Sequence, residues 1–188
     1  MAIEDESPFS EWVDGEAFFS LSNSDRHQAL LGFLFILLST VVARRKLGVL
    51  RLSPLEIKLE RAARQPDILF LATEHLARLT PMRLLGPADV AVELISEESD
   101  RRDLGNKRRE YEAASVPKYW LFDARPRQAE AIFLRLDAEG HYQPVPLDAD
   151  GWFRSQALPG FSLDPAWLGL DPLPDPDLIL DQIAPRAG

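Results

Sequence analysis

A mixed β-sheet flanked by helices, an α/β arrangement of the α+β kind, is the fold class this sequence predicts, and three observations predict it. Ala29 to Ala43 is an apolar stretch of helix length, fifteen residues without a charge. Short apolar runs of strand length recur at residues 67–71, 90–95 and 119–122. Between the last two, Leu104, Lys107, Tyr111 and Ala114 repeat at the spacing that lines up one helix face. The 188 residues fit one domain over residues 1–170, followed by a Pro- and Asp-rich tail over 171–188.

Taken in order, residues 1–10 are polar and read as a frayed end. Trp12-Val13, Asp14-Gly15 and Ala17–Phe18–Phe19 have the pattern of a hairpin that turns at Asp-Gly. Asn23-Ser24-Asp25 is a cap for a helix from about Arg26 to Lys46, and Gly48 ends it. This helix is apolar nearly all round. It therefore asks for cover from the sheet and from a second layer or a partner chain, and a homodimer through residues 29–43 is one way to supply it. A membrane span needs about 20 apolar residues; this stretch is shorter, carries Gly32, Ser39 and Thr40, and reads as a buried core helix with no membrane partner.

Val49–Leu50–Arg51–Leu52 and Leu55–Glu56–Ile57–Lys58–Leu59 are extended, with a bend at Ser53-Pro54. The strand Asp67 to Leu71 follows Pro66, and the connection from Ala72 to Ala88 holds a short helix near Glu74 to Arg78. Val90 to Ile95 is a strand, Ser96–Glu97–Glu98–Ser99 a polar turn, and then comes the helix of Lys107. After Pro117, Tyr119–Trp120–Leu121–Phe122 is a strand whose aromatics belong to the sheet core. Ala129 to Leu136 and His141 to Leu147 form a hairpin turning at Glu139-Gly140, and Trp152 to Ser155 adds a strand. In the tail, Leu178–Ile179–Leu180 is a docking patch.

Composition narrows the chemistry. The chain has no cysteine, which excludes disulfides, thiol nucleophiles and cysteine-based zinc sites and suits a reducing cytoplasm. Its three histidines show no metal-ligand spacing, and the acidic N-terminus has no basic region of a secretory signal. A net charge of −9 argues at first against a nucleic-acid partner. The acidity, however, belongs to the ends: residues 1–16 carry −6 and residues 164–188 carry −4, which leaves +1 for the rest.

The strand 90–95 has one carboxylate, Glu93, in its middle. Burying that charge costs several kcal/mol unless a partner or a metal takes it up. Lys107 lies on the inward helix face, whereas Arg102, Arg109 and Glu110 face water. Neighbouring strands lie about 4.8 Å apart, so Asp67 and Glu93 share one cation if their strands pair. Asp89 shares the face of Glu93 but stands four residues back, about 13 Å away, too far for one ion. The bland alternatives are a strand-capping turn at Asp67, an ion pair and no more between Glu93 and Lys107, and a lysine stem that snorkels to water.

Pro66-Asp67, Glu93 in a strand about a hairpin away, and a following lysine resemble the PD-(D/E)XK nuclease superfamily with its restriction-endonuclease-like fold. The match is closest to a bacterial branch of restriction endonucleases, the Uma two (Uma2) family. It rests on Trp12-Val13-Asp14-Gly15-Glu16, His27, Pro66-Asp67, Val92-Glu93-Leu94-Ile95-Ser96, Asp103-Leu104-Gly105-Asn106-Lys107, Tyr111, Val116 to Asp123 and Leu158-Pro159-Gly160-Phe161, and it covers roughly residues 11 to 168. The superfamily lysine would stand at position 95, where this chain has Ile95; the resemblance moves that role to Lys107. It implies a Mg²⁺-dependent endonuclease, with Mn²⁺ as a substitute and DNA as the partner. Asp67, Glu93 and the Leu94 carbonyl would bind the metal and Lys107 would assist. His27 would touch the water or a phosphate, or serve as a cap. Arg101, Arg102, Arg108, Arg109 and Lys118 are phosphate contacts or a solvated face, and Tyr111 reads as core. The alternative is a nuclease-fold binding module without turnover, for which Ile95 and the acidic ends speak.

Overall fold

The structure, a computed structural model, describes residues 10–13, 16–19, 24–60, 62–95, 102–125 and 130–183, with side chains from residue 24 onward except those of 102–104. The expected turns at Asp14-Gly15 and Ser96–Ser99, the contact at Arg101, the side chains of Arg102 and Leu104, and the ends 1–9 and 184–188 lie outside it.

The chain opens with a hairpin, β1 (Ser10–Val13) and β2 (Glu16–Phe19), and the helix α1 (Asp25–Arg45). Then come β3 (Gly48–Leu52), β4 (Glu56–Lys58), β5 (Ala62–Arg64), β6 (Ile68–Ala72), a 3₁₀ turn over Thr73–Arg78, β7 (Arg83–Leu85) and β8 (Val90–Ile95). A π-helical turn, Arg102–Lys107, runs directly into α2 (Arg108–Ala113). The chain continues with β9 (Lys118–Asp123), β10 (Ala131–Leu136), β11 (Tyr142–Pro144), β12 (Phe153–Arg154), β13 (Ser162–Leu163) and α3 (Pro176–Ile183).

Six strands form the central sheet in the order β11-β10-β9-β8-β6-β3, and a second sheet runs β2-β1-β5-β4-β7. The central sheet is mixed, because β8 and β9 pair in parallel while its other neighbours are antiparallel. β8 and β9 lie side by side inside it, and every residue of β8 is buried. Period-two alternation sorts its side chains: Val90, Val92 and Leu94 join the core that holds α1, and Ala91 and Ile95 join the core on the opposite face. Glu93, between them, points to that opposite face.

Ser24 caps α1, its hydroxyl accepting the His27 N–H, and Lys46 ends it in the left-handed conformation at φ 54°. His27, Leu30, Phe33, Leu34, Leu37, Leu38, Val41 and Val42 form its buried stripe, at the spacing of a helix that packs on one side. Cover was expected from the sheet and from a second layer or a partner chain; within the single chain Gln28, Ala29, Gly32, Ile36 and Ala43 are exposed. The length and hydropathy of α1 would allow a membrane crossing, and here the stripe packs against the sheet.

Trp120 sits in the α1-side core with Phe133, Phe153 and Phe161 around it, as expected of a sheet-core aromatic. Three short strands were not anticipated, β5, β7 and β13. Ala62-Ala63-Arg64 carries no strand-forming signature of its own; β5 exists by pairing with β1 and β4. In the segment read as a tail, Ile179, Leu180 and Ile183 of α3 are buried in the α1-side core, whereas Leu178 is exposed. The docking face is therefore 179/180/183, one helical stripe, and residues up to Ile183 pack with the rest of the fold.

Candidate active site

The antiparallel register of β6 and β8 sets Ile68 opposite Val92 and Leu69 opposite Ala91. Asp67 precedes Ile68 and Glu93 follows Val92, so the two acids are the next residues of these neighbouring strands at one end of the sheet. A hydrogen bond fixes the pairing: the Leu94 N–H donates to Asp67 Oδ2 at 2.7 Å. A strand residue directs its N–H and C=O to the same side, so the Leu94 carbonyl also belongs to this edge.

Glu93 is buried at 2% exposure, and Lys107 and Tyr111 are among its donors. Lys107 Nζ donates to Oε2 at 2.8 Å, and the Tyr111 hydroxyl donates to Oε1 at 3.0 Å. Both come from one helical face, four residues apart, which brings them over the same carboxylate. Lys107 is itself buried, closing the π-helical turn. Such turns place an extra residue in the helical path and recur at functional sites.

Asp67 is only partly buried, and on its other oxygen His27 Nε2 lies 3.3 Å from Oδ1. Among the described residues no lysine or arginine pairs with Asp67. His27 Nδ1 is buried without a hydrogen-bond partner, which fits the tautomer with the proton on Nε2, toward Asp67.

The structure thus brings together His27, Asp67, Glu93, Leu94 and Lys107. Asp89 is at the other end of β8, bonded to the Ala72 N–H and to His75. Arg108 and Arg109 are exposed beside Lys107, and Lys118 is half-buried at the start of β9. Tyr111, read as core, is core and also a ligand of Glu93; its place four residues after Lys107 was the available signal. Glu110 was expected in water. It is instead bound by the fully buried Arg64, whose Nε and Nη2 reach its two oxygens at 2.5 and 2.7 Å.

Among the described residues no group of three or more His, Cys, Asp or Glu side chains is placed to hold a metal ion. The oxygen set of Asp67, Glu93 and Leu94 is that of a two-carboxylate site, which suits Mg²⁺, an ion that keeps most of its own waters.

A family model described as putative restriction endonuclease, Uma2, matches residues 1–166. The chain belongs to the Uma2 family. Membership supports a nuclease function. The fold agrees: the crystal structure of a putative nuclease of the DUF820 family from Anabaena variabilis superposes with a TM-score of 0.71. The match covers 89% of this chain and 93% of that one, at 14% sequence identity. No functionally curated protein matches. The restriction-endonuclease-like sheet expected from the resemblance is therefore the fold of this Uma2 protein, with Asp67 before β6 and Glu93 on β8 at one sheet end.

Proposed function

We propose that this Uma2 protein is an endonuclease that hydrolyses phosphodiester bonds of DNA at the cluster of Asp67, Glu93 and Lys107. The observation that supports the reading is the β6–β8 register, which brings Asp67 and Glu93 to the same end of neighbouring strands, with Lys107 bonded to the latter. Asp67, Glu93 and the Leu94 carbonyl would hold Mg²⁺, or Mn²⁺ in its place. The ion supplies a lowered pKa for attacking water and polarises the phosphate.

The chain's own residues do the rest. Lys107 offers an ammonium to the charge that builds on the phosphate oxygens as the transition state forms. Tyr111 and Lys107 hold the Glu93 carboxylate from above, and the Leu94 N–H and His27 hold Asp67. In the reaction the water oxygen bonds to phosphorus and gives up a proton to solvent, the ester P–O bond breaks, and the leaving oxygen takes up a proton from solvent. Arg108, Arg109 and Lys118 contact the phosphate backbone, which positions the nucleic acid without reading its sequence.

Incubation of supercoiled plasmid with the protein and Mg²⁺ or Mn²⁺ tests this. Nicking is expected, with a loss on the order of 10²-fold or more for Asp67→Ala, Glu93→Ala and Lys107→Ala. Cleavage that persists in Asp67→Ala counts against the site. A second reading, a nuclease-fold binding module without turnover, is favoured by one observation: both Glu93 oxygens already carry a donor. It predicts nucleic-acid binding with no Mn²⁺ site by calorimetry.

A further inference from the structure

We infer that Arg64 and Glu110 are a positioning pair that sets Lys107 and Tyr111 against the two acids; this rests on the site reading above. Arg64 stands on β5, three residues before Asp67, and Glu110 stands on α2, three residues after Lys107 and next to Tyr111. The pair therefore joins the two chain segments that carry the two halves of the cluster.

Its geometry is that of a clamp. Nε and Nη2 of one guanidinium meet both oxygens of one carboxylate, the bidentate fork that fixes orientation as well as distance. Arg64 is 1% exposed and the Glu110 side chain 23%, so water reaches the pair only from the glutamate side. α2 is only six residues long and follows a π-helical turn, so its own hydrogen bonds hold its rotation weakly. Glu110 and Tyr111 stand on that short helix, and Lys107 directly precedes it. Holding Glu110 from the second sheet fixes the rotation about the helix axis, and with it the Lys107 and Tyr111 donors on Glu93. Salt-bridged arginine is used here for its shape, and lysine does not replace it.

The test reads Lys107 directly. Its ammonium is buried against Glu93, so acylation of lysines by an N-hydroxysuccinimide ester, mapped by mass spectrometry, labels it slowly in the native protein. In Glu110→Gln, and more mildly in Arg64→Lys, labelling of Lys107 is expected to rise at least tenfold in the folded protein while that of the exposed Lys46 and Lys58 stays constant. Plasmid cleavage, if the wild type shows it, falls in the same order, with KM unchanged and kcat lowered. Circular dichroism confirms that each variant is folded; where Arg64→Lys fails to fold, Glu110→Gln alone decides. A lowered melting temperature with unchanged Lys107 labelling makes the pair a stability element only and overturns the inference. A wild type that never cleaves DNA, with Lys107 labelling that still responds, removes the nuclease reading and leaves the positioning pair standing.

Discussion

At the scale of single residues, the candidate site is a set of carboxylates whose oxygens are largely spoken for. Glu93 is buried, and an unpaired charge at that depth would cost several kcal/mol. Lys107 and Tyr111 remove most of that cost. The sequence made this much legible, because a lone Glu in an otherwise apolar strand demands a partner and Lys107 falls on the inward helix face. It did not reveal Glu110 as half-hidden: on a helix of mixed charge, nothing local distinguishes a solvated glutamate from one held by an arginine 46 residues away. Another buried group carries a pH signature. Burial, and secondarily the charge of Glu112, push the Tyr142 phenol well above its ordinary pKa, and its hydroxyl donates to the Val116 carbonyl at 2.7 Å. The folded protein keeps this proton beyond the point near pH 10 where an unfolded chain releases it. Its contribution to stability is therefore complete below about pH 10 and declines as the pH rises further. Tyr142→Phe is expected to cost about 1–2 kcal/mol at neutral pH, through the lost hydrogen bond. In urea melts the variant should lose less stability than the wild type between about pH 8 and pH 10.5. An equal loss in both would assign the alkaline sensitivity elsewhere.

At the scale of elements, what was readable followed length and periodicity. α1, β6, β8 and β9 each carry their own signal, whether a 3.6-residue stripe or a β-branched and aromatic run, and they lie where those signals place them. β5 and β7 have three residues each and owe their form to their neighbours, so no local pattern could announce them. The passage from α1 to β3 shows how tightly an element junction can be specified. Gly48 pairs with Ala72, and a Cβ built on it would lie 2.1 Å from the Leu71 carbonyl oxygen. That oxygen belongs to the strand ladder and has no room to yield. Gly48→Ala should therefore cost at least about 1–3 kcal/mol as an overpacked contact, visible as a lower urea midpoint. An unchanged midpoint would mean that β3 can slide away from β6 without penalty.

At the scale of the whole molecule, two cores share one sheet; Glu93 and its donors lie on the second face, and His27 reaches Asp67 from α1. The α1-side core is closed from below by α3, whose Ile179, Leu180 and Ile183 are buried. Each is worth about 1.5–3 kcal/mol when fully buried. Removing residues 171–188 should thus destabilise the protein by several kcal/mol, read as an earlier thermal transition. A truncated chain that melts like the full one would show that α3 is dispensable. Because the α1 side is separate from the Glu93 face, this loss should not alter the Glu93–Lys107 contact in molecules that remain folded.

The pairing of Ile68 with Val92 has a consequence for how this protein can vary. Both acids stand at the sheet end opposite the excursion that joins β6 to β8, so the span between them is measured across the strands and never along the chain. Insertions between the 3₁₀ turn and β7 leave that span untouched, whereas deleting a single residue from β6 would put Asp67 out of step with Glu93. Drift in chain length keeps the two acids together on one side of this ruler and parts them on the other.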